Sequence, residues 1–312
     1  MDKLCKFLTA IIIIAGCSSN ETASLTADKE GELSTVNLTV DNLQRSFLLY
    51  KPKGYNNAGK MPVLLVNHGG QSTSQGMMAV ADFRNLADNE KFLLLYPQGY
   101  LNTWNDGRPT AANLSGVDDV NYFRQLCNYA VANLDADPSR IYVTGLSSGG
   151  FMASRLGCEL SDRIAAIAVV GATLEQGVFN NYSPGRYVPA MIIQGTADPF
   201  VPINGGIVLP GAGGYAMSHS AAVSKWISIN NCSSSPVVTN IPDTANDGTT
   251  IDKNVYSNAG NTSEVVGYVV NNGGHTWPQG LQYQSVSVIG RTTQNLNANS
   301  VIWAFCKRWR RN

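Results

Sequence analysis

The chain is written in short apolar runs separated by longer stretches of helical period. Residues 62–67 (PVLLVN), 92–96 (FLLLY), 141–144 (IYVT), 164–170 (IAAIAVV), 191–193 (MII) and 265–270 (VVGYVV) are hydrophobic without alternation. Such runs predict strands covered on both faces, as in a parallel sheet between two helical layers. Helical patterns fall between them near 74–89, 118–134, 148–160 and 215–230. Strand, helix, strand in repetition predicts an open, doubly wound α/β sheet. Residues 35–40 and 45–50 instead alternate with period two around Asp41-Asn42, which predicts an antiparallel hairpin on the sheet edge. The Gly-rich stretch 204–214 reads as a flexible loop at a substrate rim, and 233–250, dense in Ser, Pro, Asn, Asp and Thr, as surface loop. No repeat or linker divides residues 33–312, so one α/β domain is expected there.

The beginning of the chain changes where that domain is placed. Lys3 and Lys6 precede an apolar run over 7–15 interrupted only by Thr9. It is too short to span a bilayer but suits the core of a signal peptide. It ends in Ile14-Ala15-Gly16-Cys17, which resembles the bacterial lipobox. Residues 1–16 are therefore expected to be a lipoprotein signal, Cys17 the lipidated residue, and 17–32 a polar tether. The alternative is an ordinary secretory signal with an incidental Cys17. Anchoring through acyl chains predicts an exported protein on the outer membrane or cell surface that meets the membrane through that anchor alone.

Composition narrows the partners. Charged residues make up 14% and the formal net charge is zero, with no dense Lys/Arg stripe, so nucleic acid is not an expected partner. Lys307, Arg308, Arg310 and Arg311 read as a solvated helix end, and a monomer is expected. Apart from Cys5 and Cys17, four cysteines remain, Cys127, Cys158, Cys232 and Cys306, which allow three pairings. Cys127 and Cys158 fit buried thiols equally well, and Cys232 with Cys306 is the pair to test first. Neither CxxC nor a His/Cys cluster occurs, so no metal site is expected.

Gly145-Leu146-Ser147-Ser148-Gly149-Gly150 is a G-x-S-x-G string between a strand and a helical pattern. That context is a nucleophile elbow, in which a tight turn lifts Ser147 Oγ above the C-terminal edge of the sheet. A serine hydroxyl needs a base, and the chain offers three histidines. His219 falls inside a helical pattern, and His68 ends a strand in a packing position. His275 stands in a Gly-rich loop directly after the strand ending at Val270, on the same sheet edge as Ser147. Asp198, in a Pro-stiffened turn after the strand 191–193, supplies the carboxylate that orients an imidazole. Ser147, Asp198, His275 is the chain order of α/β-hydrolases. Two N–H donors must receive an oxyanion; Ser148 and Gly70 are favoured, with Gln71 as the fallback to Gly70. Trp104 and Trp277 are candidates for a substrate wall or for loop anchors. Asp118 and Asp119 read as helix-start residues.

His68-Gly-Gly70, Trp104-Asn-Asp-Gly107, Gly116-Val-Asp-Asp-Val120, Gly145-Leu-Ser-Ser-Gly-Gly150 and Gly274-His-Thr-Trp-Pro278 occur in order. Over roughly residues 33–280 this set resembles the polyhydroxybutyrate depolymerase family of esterases, which overlaps carbohydrate esterase family 1. The resemblance implies an α/β-hydrolase fold with a mostly parallel sheet and helices on both faces, and no metal or organic cofactor. It implies ester hydrolysis through an acyl-enzyme, with Ser147, Asp198 and His275 as the triad. The expected substrates are feruloyl or acetyl esters of plant polysaccharide such as xylan, or polyhydroxyalkanoate-type polyesters. Two other readings stand beside it: a non-catalytic surface carbohydrate-binding lipoprotein, and a serine peptidase. Many relatives carry a Cys pair near residues 255–260, where this chain has none.

Overall fold

A computed structural model describes residues 31–57, 59–209 and 213–311. The expected signal peptide, Cys17 and nearly all of the tether lie outside the described residues. The strands are β1 (Glu32–Val40), β2 (Leu43–Lys51), β3 (Met61–Asn67), β4 (Leu93–Pro97), β5 (Ala136–Leu146), β6 (Ala166–Val170), β7 (Ala190–Gly195), β8 (Gly206–Ile207), β9 (Tyr215–Ala216), β10 (Val237–Ile241), β11 (Thr250–Ser257) and β12 (Glu264–Asn271). The helices are α1 (Ser74–Val80), α2 (Arg84–Glu90), α3 (Ala111–Leu114), α4 (Asp119–Asn133), α5 (Ser148–Glu159), α6 (Gln176–Asn181), α7 (His219–Ile229), α8 (Val286–Ile289) and α9 (Ala298–Cys306).

Ten strands form one sheet in the order β1-β2-β4-β3-β5-β6-β7-β12-β11-β10. From β4 to β12 neighbouring strands run parallel. β1 and β2 add an antiparallel hairpin at one end, and β11 and β10 extend the other. Strands covered on both faces have no polar side to present, and β3, β4, β6 and β7 are buried at every position. Alternate residues feed two cores. Leu65, Val143, Ile167 and Ile192 pack with Phe123, Leu126, Leu156 and Trp226 on one face. Leu64, Tyr142, Ala168 and Ile193 pack with Met77, Ile302 and Trp303 on the other.

The structure departs from the sequence pattern in four places, each with a local cause. The helix expected over 74–89 is two helices, because the Tyr96 phenol enters the break: its oxygen accepts from Phe83 N–H at 3.2 Å and donates to Ala81 O at 2.9 Å. The helix expected from 215 begins at His219, where the Ser218 hydroxyl caps Ala221 N–H. The surface loop expected over 233–250 contains strand β10, whose positions are almost all exposed, so no alternation marks it. Cys127, Cys158, Cys232 and Cys306 are all free. Cys306 belongs to one core and Cys232 packs against the other, so the sheet separates the pair named as the first to test. Burial pushes the Cys127 and Cys158 thiols up to about 12, which leaves them inert.

Candidate active site

Ser147 joins β5 to α5 with φ 56° and ψ −120°, a conformation that L-residues rarely adopt. Its neighbours hold it there: Ser147 N–H donates to Val170 O at 2.9 Å, and Phe151 N–H donates to Ser147 O at 2.9 Å. The flanking glycines are enforced by backbone proximity. A Cβ on Gly145 would lie 2.5 Å from the Gly149 carbonyl, and one on Gly149 would lie 2.4 Å from Asn67 O. No larger residue fits either place without moving main chain.

β7 and β12 are adjacent and parallel, so the turns that follow them emerge side by side. Asp198 comes from the first turn and His275 from the second. His275 Nδ1 lies 2.8 Å from Asp198 Oδ2, with both side chains buried. The other oxygen of Asp198 accepts from Phe200 N–H at 2.8 Å and Val201 N–H at 2.9 Å. A carboxylate held this way accepts, so Nδ1 carries the hydrogen, and in the neutral ring the lone pair falls to Nε2. The Phe200 ring meets the imidazole edge-on at 5.1 Å, and Tyr283 OH donates to His275 O at 2.7 Å. Ser147 and His275 line one cleft of about 720 Å³, with Asp198 directly behind the imidazole. Its apolar lining includes Met77, Val80, Phe200, Val208, Leu281 and Val288, with Gln71, Thr103, Arg108 and Gln284 among its polar lining. Val208 and Leu209 bring the Gly-rich segment to the rim expected of it.

The other two histidines are spent elsewhere. His68 Nε2 accepts from Gly99 N–H at 2.9 Å, and Nδ1 lies 2.7 Å from Gly69 O. Burial lowers its pKa to about 4, so the ring is neutral. His219 is buried at the start of α7, where burial lowers its pKa to about 4 as well. Its Nδ1 has no hydrogen-bond partner among the described residues.

The loop after β3 brings Gly70 beside Ser148; a Cβ built on Gly70 would stand 3.8 Å from Ser148 Cβ. Ser148 opens α5, and a first-turn N–H has no acceptor within its helix. Gln71 N–H donates to Asn102 O at 2.8 Å, which removes the fallback donor and leaves Gly70.

Neither tryptophan lines the cleft. Trp104 is fully buried, stacked obliquely on His68 with centroids 4.7 Å apart, and its Nε1–H donates to His68 O at 2.8 Å. Trp277 is buried against Phe83 and donates to Asn299 Oδ1 at 2.8 Å. Both are loop anchors, because each indole N–H is satisfied only by turning into the protein. Asp118 caps α4 as expected, through Asn121 N–H. Asp119 does more: it is buried, paired with Arg45 at 2.7 Å, and accepts from Asn105 N–H at 2.7 Å.

Two residues at the site take no role from the sequence, although Asp106 lies inside the Trp104–Gly107 motif. Asp106 and Arg108 form a buried ion pair with Nη2 to Oδ2 at 2.6 Å, and Ser148 Oγ donates to the same Asp106 oxygen at 2.7 Å. The motif marks Asp106 but not what it touches, and Arg108 two residues on is too common a neighbour to single out.

No family model matches the chain. NocK of Nocardia uniformis subsp. tsuyamanensis, named as an esterase, is 27% identical over 245 residues, 76% of this chain and 71% of its own length. Feruloyl esterase B of Piromyces equi is 25% identical over 62% of the chain, and an acetylxylan esterase of Coprinopsis cinerea 27% identical over 68%. The chain spans only 37% and 61% of those two relatives. Among solved structures, an acetyl xylan esterase from Aspergillus awamori superposes with a TM-score of 0.57 at 16% identity, over 78% of this chain and 94% of that one. A thermostable esterase gives 0.55 at 13% identity, over 89% and 63%. These likenesses, with the sheet described above, make the fold an α/β-hydrolase.

Proposed function

We propose that this chain, one of the α/β-hydrolase esterases and kin by sequence to acetylxylan and feruloyl esterases, cleaves carboxylic esters through Ser147, His275 and Asp198. The observation that carries the proposal is the 2.8 Å contact between His275 Nδ1 and the buried Asp198, with His275 and Ser147 lining one cleft. In the first half-reaction His275 Nε2 takes the proton of Ser147 Oγ as that oxygen attacks the ester carbonyl. The negative oxygen of the tetrahedral intermediate is received by the Ser148 and Gly70 amides. His275 then passes the proton to the departing alkoxide, leaving an acyl-Ser147. Water, deprotonated by the same Nε2, releases the acid and restores the serine. Asp198 keeps the imidazole in one tautomer and stabilises its cation throughout.

The apolar cleft supports a bulky acyl group, such as an aromatic hydroxycinnamoyl unit on plant polysaccharide, over acetyl, which would leave most of it unfilled. A polyester of hydroxyalkanoate type is the second reading. It is favoured by Leu209, Leu281 and Val288, which line the cleft and are 58%, 55% and 46% exposed, a footing for an apolar polymer surface. The lipobox-like segment supports export and anchoring through Cys17, which would hold the enzyme where polymers too large to import are found. Relative kcat/KM on methyl ferulate, acetylated xylan and short polyhydroxybutyrate tests the substrate reading. A preference for acetylated xylan would reject the bulky-acyl proposal. Metabolic labelling with a fatty acid tests the anchor, and unchanged labelling of Cys17→Ala would reject it.

A further inference from the structure

We propose that residues 104–108 are the positioning element of the oxyanion hole, a strap that ties its two donor turns together; this rests on the esterase reading above. Two N–H donors stabilise an oxyanion well only when their separation is fixed before the reaction starts. Here they come from turns 78 residues apart in the chain, Gly70 after β3 and Ser148 after β5. One short segment grips both. Trp104 Nε1–H donates to His68 O at 2.8 Å, two residues before Gly70. Two residues along the strap, Asp106 Oδ2 accepts from Ser148 Oγ at 2.7 Å, on the same residue whose amide is the other donor.

The strap is moored along its length. Thr110 Oγ1 donates to Trp104 O at 2.6 Å. Asn105 N–H donates to the buried Asp119 at 2.7 Å, and Arg155 Nη1 donates to Asn105 O and Oδ1 at 2.8 and 2.6 Å. Arg108 clasps Asp106 through Nε at 3.2 Å and Nη2 at 2.6 Å, and its guanidinium lies 4.2 Å over the Phe151 ring. The clasp has an electrostatic purpose as well as a mechanical one. A lone carboxylate this close to Ser148 would repel the negative oxygen forming there, and Arg108 cancels that charge. Asp106 thus fixes the Ser148 side chain at no cost to the oxyanion. Asp106 and Trp104 act through Ser148 and His68, so they are positioning residues.

The test uses Ser148→Ala, which keeps the amide and removes the hydroxyl, and Trp104→Phe, which keeps an aromatic ring, though a smaller one, and removes the indole N–H. Each is expected to lower kcat about tenfold with KM little changed, less than the loss of a whole oxyanion donor. The inhibition constant of a boronic acid that forms a tetrahedral adduct on Ser147 should rise by the same factor. In the double variant the losses should combine to less than their product, because a strap freed at one end already fails to hold the other. Lower melting temperatures with unchanged kcat and boronate affinity would make the segment merely structural and overturn the proposal. If Trp104→Phe does not fold, Ser148→Ala decides alone by the same two readouts. Wild-type protein that fails to react with a fluorophosphonate overturns the esterase reading and the strap with it. Reactive wild type with unaltered variants overturns the strap only.

Discussion

His68 and His275 begin from nearly the same local sequence and end in opposite employment. Each follows a strand of the parallel block, each adjoins two glycines, and each is almost fully buried. His68 has both ring nitrogens engaged by backbone, one by Gly99 N–H and one by Gly69 O. His275 has one nitrogen committed to a carboxylate and the other left toward the cleft. The proposed base thus differs from the packing histidine in what is left unpaired on the ring, and in a fixed partner on the far side. Burial alone does not make a base, since burial, helped by the nearby Arg45 charge, drives His68 down to about 4 and removes its use as a proton carrier near neutrality.

The sharpest way to break this comparison is to silence the His275 side. Ser147→Ala or His275→Ala should lower kcat by roughly 10⁶-fold on a p-nitrophenyl ester, with melting temperature retained. Retained turnover in either variant would remove the triad. Asp198→Asn should cost roughly 10⁴-fold, because the amide permits the wrong tautomer while leaving the shape intact; a loss under tenfold would mean that the carboxylate is not the orienting group. His68→Asn should behave oppositely. It strands Gly99 N–H and the packing of Trp104, so stability should fall by about 1–3 kcal/mol in denaturant titration while kcat falls far less than for His275. A His68 variant as inactive as His275→Ala, yet folded, would dissolve the distinction.

The smallest effect is a pH dependence of stability shared by the two structural histidines. Folded His68 and His219 bind protons only near pH 4, whereas an unfolded imidazole binds them at about 6.5. Unfolding therefore takes up protons between those values, and stability present above pH 6.5 is lost as the pH falls toward 4. His219→Leu should flatten part of that slope, read as the change of melting temperature between pH 7 and pH 5. An identical slope in the variant would assign the acid sensitivity elsewhere.

What the sequence disclosed follows the same division. The elbow was legible because Gly145 and Gly149 answer to main-chain approaches that no other residue permits, and His275 because only three histidines were available. The buried strands were legible because covering on two faces leaves an unbroken apolar run. The Asp106–Ser148 contact was not, since it joins residues 42 apart through a loop whose course no periodicity records. Tyr96 ends the apolar run 92–96, and its phenol dividing α1 from α2 depends on where the sheet puts it. Trp104 and Trp277 lie in loops, as their sequence context implies, yet the direction each ring faces is settled by the partner its N–H finds.

The backbone angles at Ser147 limit what chemistry this scaffold could ever acquire by single changes. A β-branched residue is disfavoured at positive φ, so threonine is an expensive replacement there even though it carries the same hydroxyl. Cysteine adds no branch and keeps the side chain's reach. Drift at this position is thus open toward thiol chemistry and nearly closed toward a secondary alcohol, a bias written into the main chain before any substrate arrives.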